Sequence, residues 1–155
     1  MIMSGLLTHS PGAITAKLLQ DLDLGSDPLA APAEAWPVFV SNEPDSPDDV
    51  ITVYDTLGRD QGFFQINGER QEQHGIQIRI RGKDYPTGYA KARAISVALD
   101  EDDGANQALV VMDTAEYLVY VVMRTSDVIA LGRQVPISKR CLFTINALVS
   151  LRINA

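Results

Sequence analysis

The chain has 155 residues, of which 46% are hydrophobic and 21% charged. That size and composition fit one globular domain, residues 1–155, able to fold without disulfide staples. Its 13 Lys and Arg against 20 Asp and Glu leave a formal net charge of −7, which argues against a protein whose main task is gripping nucleic acid phosphates.

Cys141 is the only cysteine, so no intrachain disulfide forms, and it reads as a small buried residue on a strand. Met1 to Leu7 is briefly apolar but lacks the basic flank and the apolar core of about 7–15 residues that mark a secretion signal. No run approaches the roughly 18 apolar residues of a membrane helix. The chain is expected in a cytoplasm, or in something assembled there.

Ser10-Pro11 starts a helix, with Ser10 capping free N–H groups and Pro11 in the first helical position. Ile14, Leu18 and Leu22 make its apolar stripe, and Gly25 is placed to end it in a left-handed conformation. Residues 26–35, with two prolines and four alanines, read as a linker. Trp36 to Val40 is an edge strand, because Pro37 cannot donate to a ladder. Asn42 to Asp49 holds four acids and two prolines in eight residues. It reads as a rigid solvated turn, since its prolines break the oxygen-ligand spacing of a calcium loop.

Val50 to Thr56 is a β-branched strand. Leu57 to His74 is polar, carries glycines at 58, 62 and 68, and reads as a long loop with a short strand at Phe63-Phe64-Gln65-Ile66. Ile76, Ile78 and Ile80 then alternate with Gln77, Arg79 and Arg81, so one face of that strand is core and the other polar and basic.

A helix follows near Pro86. Tyr85, Tyr89, Ala92, Ile95 and Leu99 form its core stripe, widened by Ala90, Ala94, Val97 and Ala98, so it can lie close to a sheet on one side and to something else on the other. The acids Asp100 to Asp103 are expected beyond its last turn, since they oppose the helix dipole. Gln107 to Met112 and Tyr117 to Met123 flank Asp113-Thr114-Ala115-Glu116 as a hairpin, and Val128 to Leu131 starts another strand. From Cys141 to Ile153 every second residue is apolar. Its 13 residues would span about 43 Å as a strand, so it either bends between two sheets or projects to meet a partner.

Nothing in this order assembles a catalyst. His9 and His74 stand in different polar contexts without ligand-spaced companions. The phosphate-loop and nucleophile-elbow motifs are absent, and Gly58-Arg59-Asp60-Gln61-Gly62 lacks the strand-to-helix setting of a nucleotide fingerprint. Four adjacent acids after residue 99 are a solvated turn rather than an acid/base pair. Tyr85 and Tyr89, near Lys83 and Arg81, have the residue types of a single-strand stacking platform, but their spacing makes them core residues of the helix. No enzyme, cofactor or metal is expected.

The run Trp36-Pro37-Val38-Phe39-Val40, then Glu43-Pro44-Asp45-Ser46-Pro47-Asp48, then Ile51-Thr52-Val53-Tyr54-Asp55-Thr56 resembles the front half of the tailed-phage tail terminator, or minor capsid, family of head-tail completion proteins. The most specific block is His74-Gly75-Ile76-Gln77-Ile78-Arg79-Ile80-Arg81-Gly82-Lys83-Asp84-Tyr85 leading into the alanine-rich helix. Leu131-Gly132-Arg133, a polar gap and a long final strand complete it over residues 10–153.

The resemblance implies an α/β (α+β) fold, a mixed and mainly antiparallel sheet with two helices packed on it. It also implies a structural role: a ring, typically a hexamer, on the last ring of the tail tube, which stops tube polymerisation and meets the head connector. The partners it implies are further copies of the chain, the tail tube protein and the head-closure or connector protein. DNA would pass through without specific binding. The place would be the neck of a virion assembled in the host cytoplasm.

Candidate interface residues are Trp36, Asp45, Asp48, Asp49, Arg79, Arg81, Ala94 and Arg133. Arg79 and Arg81 either meet acids of a neighbour's loop at Asp45 to Asp49 or form a solvated strand face. Another neck component, a tube subunit and a small monomeric module acting on a host protein are the rival readings.

Overall fold

The computed structural model describes residues 7–63, 70–100, 108–133 and 139–153, and their side chains except those of 59–63 and 70–72. Helix α1 runs Pro11–Asp21, with Ser10 as its cap: the backbone N–H of Ala13 donates to Ser10 Oγ at 3.1 Å. It buries Ile14, Ala16, Leu18 and Leu19. Its end differs from the expectation. Asp23, at φ 58°, supplies the left-handed residue, and Leu24 N–H returns to the Leu19 carbonyl. Gly25 is needed for space instead, since a Cβ there would lie 2.2 Å from Val38 Cγ2.

Strand β1 (Val38–Val40) pairs parallel with β2 (Val50–Phe63), which is antiparallel to β3 (Arg70–Gly82). The loop expected from Leu57 to His74 is therefore mostly strand: β2 and β3 continue as a hairpin arm through two register shifts. The reason is backbone pairing, which leaves no apolar alternation to read. Glycines 58 and 75 mark the close approach at the base of the arm. A Cβ on Gly58 would stand 2.1 Å from the Gln73 carbonyl, and one on Gly75 would stand 2.3 Å from that of Leu57. Of the short strand expected over residues 63–66, only Phe63 is among the described residues.

Helix α2 is Tyr85–Asp100. Asp84 caps it, accepting from Thr87 N–H at 2.9 Å, and that bonding holds the Asp84 carboxyl below its ordinary pKa. Asp100 lies inside the last turn rather than beyond it. Arg124 donates to both its carboxylate oxygens, at 3.0 and 3.1 Å, which offsets the unfavourable dipole. Glu101, Asp102 and Asp103 lie outside the described residues.

Strands β4 (Ala108–Met112) and β5 (Ala115–Arg124) form the expected hairpin, followed by β6 (Ile129–Arg133) and β7 (Cys141–Ile153). The sheet order is β1-β2-β3-β7-β5-β4, with β6 also paired to β7. Strand β7 neither changes sheets nor projects. It is a central strand, paired along one edge with β3 and along the other with β6 and then β5. Its length serves those three partners. The class is α+β, with a mixed and mostly antiparallel sheet.

Register defines the inner face. Ile80 lies opposite Phe143, Ile78 opposite Ile145, Ile76 opposite Ala147, and Ile51 and Val53 continue the row on β2. All are buried beneath α1 and the Ala92–Ile95–Leu99 stripe of α2. Helix α1 touches β1 and β4, which lie at opposite ends of the sheet order. The sheet therefore curls around it, and two surfaces are left facing outward: the far face of the sheet and the back of α2.

Candidate assembly surface

The far face of the sheet has two unlike halves. Over β2 and β3 it is covered by the acidic segment 41–49. Arg81 is 1% exposed; its Nη2 donates to the Pro47 carbonyl at 2.7 Å and its Nε to that of Asp48 at 3.2 Å. Burial, with Arg140 close by, pushes the Arg81 guanidinium below its ordinary pKa. Arg79 Nε lies 3.5 Å from Glu43 Oε1, Arg140 Nε donates to Asp48 Oδ1 at 2.8 Å, and Lys83 N–H donates to Asp49 Oδ1 at 2.7 Å. Acids expected from a neighbouring copy thus lie against bases of their own chain, and the basic strand face is not a solvated one.

The other half spans β4, β5, β6 and the end of β7. Leu109 pairs with Leu118, Val111 with Glu116, Val121 with Ser150, Met123 with Leu148 and Ile129 with Thr144. This register turns them all away from the helices. Leu109, Val111, Val121, Met123 and Ile129 are 40–51% exposed. None of the described residues covers them. Arg152 lies 4.8 Å over the Tyr120 ring, beside Leu118. Every residue of β6 is exposed, Arg133 included.

The back of α2 is the second apolar surface. Tyr89, Ala90, Ala94 and Val97 are exposed there, with Arg93 among them. Tyr85 and Tyr89, expected in the core, are about half exposed. They stack on each other with centroids 6.0 Å apart, and both rings lie against the buried Phe143. A helix apolar all round can give only one flank to a sheet, and Ala92, Ile95 and Leu99 take it.

The candidate interface residues divide accordingly. Asp48, Asp49, Arg79 and Arg81 come together under or within the acidic segment, and Asp45 is exposed upon it. Trp36 is half-buried at φ 57°, with Lys91 Nζ 5.2 Å from its ring centre. Ala94 lies one helical turn beyond Lys91. Arg133 stands apart, opposite Cys141 at the start of β7. His9 does not meet His74; its Nδ1 lies 2.7 Å from the buried Tyr117 hydroxyl and its Nε2 3.0 Å from Asp113. Among the described residues no three His, Cys, Asp or Glu cluster as a metal site, and no helix is long and apolar enough to cross a membrane.

A family profile described as bacteriophage tail terminator protein matches residues 18–133, three quarters of the chain. The chain belongs to that tail terminator family. It is thus a phage structural tail protein. Among solved structures, the chain is similar to one from the virion of a native gene transfer agent particle, at 16% identity and TM-score 0.47, covering 95% of this chain and 100% of that one. No curated protein matches.

The region matched to the terminator family holds both apolar surfaces except the β7 residues. The outer patch on β4 and β5 was not among the residues singled out in the sequence, yet a signal for it exists. Val110 to Met112 and Tyr117 to Met123 are apolar on both alternations. An antiparallel hairpin with one face in water should instead alternate.

Proposed function

We propose that this chain forms a ring at the head-proximal end of a tail tube, where it ends tube polymerisation and joins the tail to the head connector. The observation that carries the reading is the uncovered apolar half of the sheet in a member of the terminator family. Contiguous apolar surface of this kind marks an interaction site. A closed ring needs two different patches on each subunit, and the back of α2 supplies the second. A hexamer is the proposed stoichiometry. The acidic composition, net −7, suits a passage for DNA that must not stick.

Deleting the gene from its phage tests the place in the particle. Overlong or unjoined tails are expected. Leaky DNA-filled heads would assign head closure instead, and absent tails a tube subunit. Imaging purified protein mixed with tail tubes should show one end capped. Protein that never forms rings, even on tubes, would favour a monomeric host-binding module.

A further inference from the structure

The ring reading leaves open how neighbouring copies are joined. Resting on that reading, we propose that the β2 side of the hairpin arm, residues 59–63, adds as a further strand to the outer edge of β6 in a second copy of this chain.

Two backbone edges are left without a strand. Strand β6 pairs with β7 along one edge only. No described residue pairs with its other edge, and all five of its residues are exposed, so neither of its faces is covered. An open row of N–H and C=O groups selects an extended strand as its partner, because a strand meets those groups in register. Ile129 and Leu131 alternate along β6, 40% and 51% exposed, and give the added strand an apolar row to lie against. No atom lies within 4 Å of where a Cβ on Gly132 would stand, so the approach is open.

The arm has the complementary need. Strand β1 pairs with β2 only from Ile51 to Val53, and β7 pairs with β3 only as far as Gln73. Beyond those points β2 and β3 have each other and no third strand among the described residues. A two-stranded ribbon is marginal in water and gains from a third strand. At the base of the arm Leu57 is 95% exposed, an apolar side chain on the strand whose edge is open. Residues 59–63 match the five residues of β6 in length. The strands at the two ends of the sheet order serve less well. Strand β1 is three residues long and Ser26 bridges to Pro37 beside it, while β4 lies against α1.

Topology makes the contact intermolecular. Strand β6 sits at the Cys141 end of β7, opposite residues 141–144, whereas the arm leaves the sheet at the other end, beyond Ser150. From Thr144 to Ser150, and on from Gln73 to Arg70, is about nine residues of strand, or about 30 Å. The arm therefore cannot pair with its own β6, and a neighbouring copy's arm can. The contact joins two different edges at opposite ends of the sheet, so it repeats head to tail and closes into a ring when the rotation allows. Pairing β6 with β6 across a two-fold axis would stop at a dimer and leave the arm unpaired.

The test uses the full chain on tail tubes, with Gln61→Cys and Leu131→Cys made separately and together, and a short bismaleimide as probe. Cys141 is buried and serves as background. Mixing the two single variants should give a cross-linked dimer, and the double variant should give a ladder ending at the ring size. Dimers from Leu131→Cys alone would overturn the proposal in favour of a two-fold contact. Cross-linking of Gln61→Cys to the tube protein would make the arm a tube contact and overturn it too. Normal capping without any Gln61–Leu131 cross-link also overturns it while leaving the ring reading intact. Wild-type protein that caps no tube overturns both. Hydrogen exchange gives a second measurement, one that reads the backbone rather than side-chain proximity. The amides of β6 that face away from β7 should exchange about tenfold or more slowly on tubes than in the free chain. Unchanged exchange there in capped tubes would overturn the addition of a strand.

Discussion

The two halves of the outer sheet face invert the usual expectation for a surface. The half over β2 and β3 carries the polar side chains, Thr52, Arg79 and Arg81, yet it is covered by the acidic segment 41–49. The half over β4, β5 and β6 carries Leu109, Val111, Val121, Met123 and Ile129, yet it is bare. A chain built to stay alone would cover the apolar half first, since burial is worth about 25 cal/mol per Å² of apolar surface. The comparison teaches that one half is finished within the chain, by charge pairs and backbone carbonyls, while the other keeps its apolar side chains exposed, as the proposed assembly role requires.

That contrast can be broken or sharpened by substitution. The largest effect on stability should come from the covered half. Arg81→Ala removes a fully buried side chain and its two hydrogen bonds to the Pro47 and Asp48 carbonyls and should cost about 3 kcal/mol in denaturant unfolding. Its loss of assembly should only follow the unfolded fraction. On the bare half the order reverses. Val121→Asp with Met123→Asp should reduce tube capping by about tenfold or more while shifting unfolding by less than about 0.5 kcal/mol. If that double variant unfolds as readily as Arg81→Ala, the two halves do not differ as described.

Smaller effects belong to the exposed pairs. Asp48→Asn removes the Arg140 contact, with Asp48 57% exposed, and should cost about 0.5 kcal/mol or less, fading at high salt. The pair at the end of α2 has a pH signature. Hydrogen bonds from Arg124 hold the Asp100 carboxyl below its ordinary pKa. Because the folded pKa is depressed, the stabilisation is complete above the unfolded value of about 4 and is lost as pH falls through the folded one. Acid unfolding of Arg124→Met should therefore converge on wild type at low pH and diverge from it near neutrality.

Legibility in the sequence followed local signals. The cap at Ser10, the 76–80 alternation, the hairpin around Asp113 and the long final strand are each written in neighbouring residues, and the structure has each of them. The β2–β3 arm reads as loop in the sequence because its pairing rests on backbone hydrogen bonds between polar residues, which leave no periodic trace. The tyrosines of α2 read as core in the sequence because helical spacing tells which residues share a face, not which face meets the sheet. Arg79 and Arg81 lie on the polar side of their strand, as the alternation with Ile76, Ile78 and Ile80 predicts. That a segment some 30 residues earlier folds over them is a long-range fact.

By itself the sequence determined most of the strands and both helices in order, enough to resemble the terminator family and, through that resemblance, to imply a mixed sheet with two helices packed on it. Periodicity and caps are local, and a resemblance needs only their order. Tertiary structure alone decided which surfaces stay open. Exposure depends on what lies across from a strand or helix, and those neighbours come from distant parts of the chain. Segment 41–49 closes one half of the sheet, and no described residue closes the half where Val121 and Met123 stand.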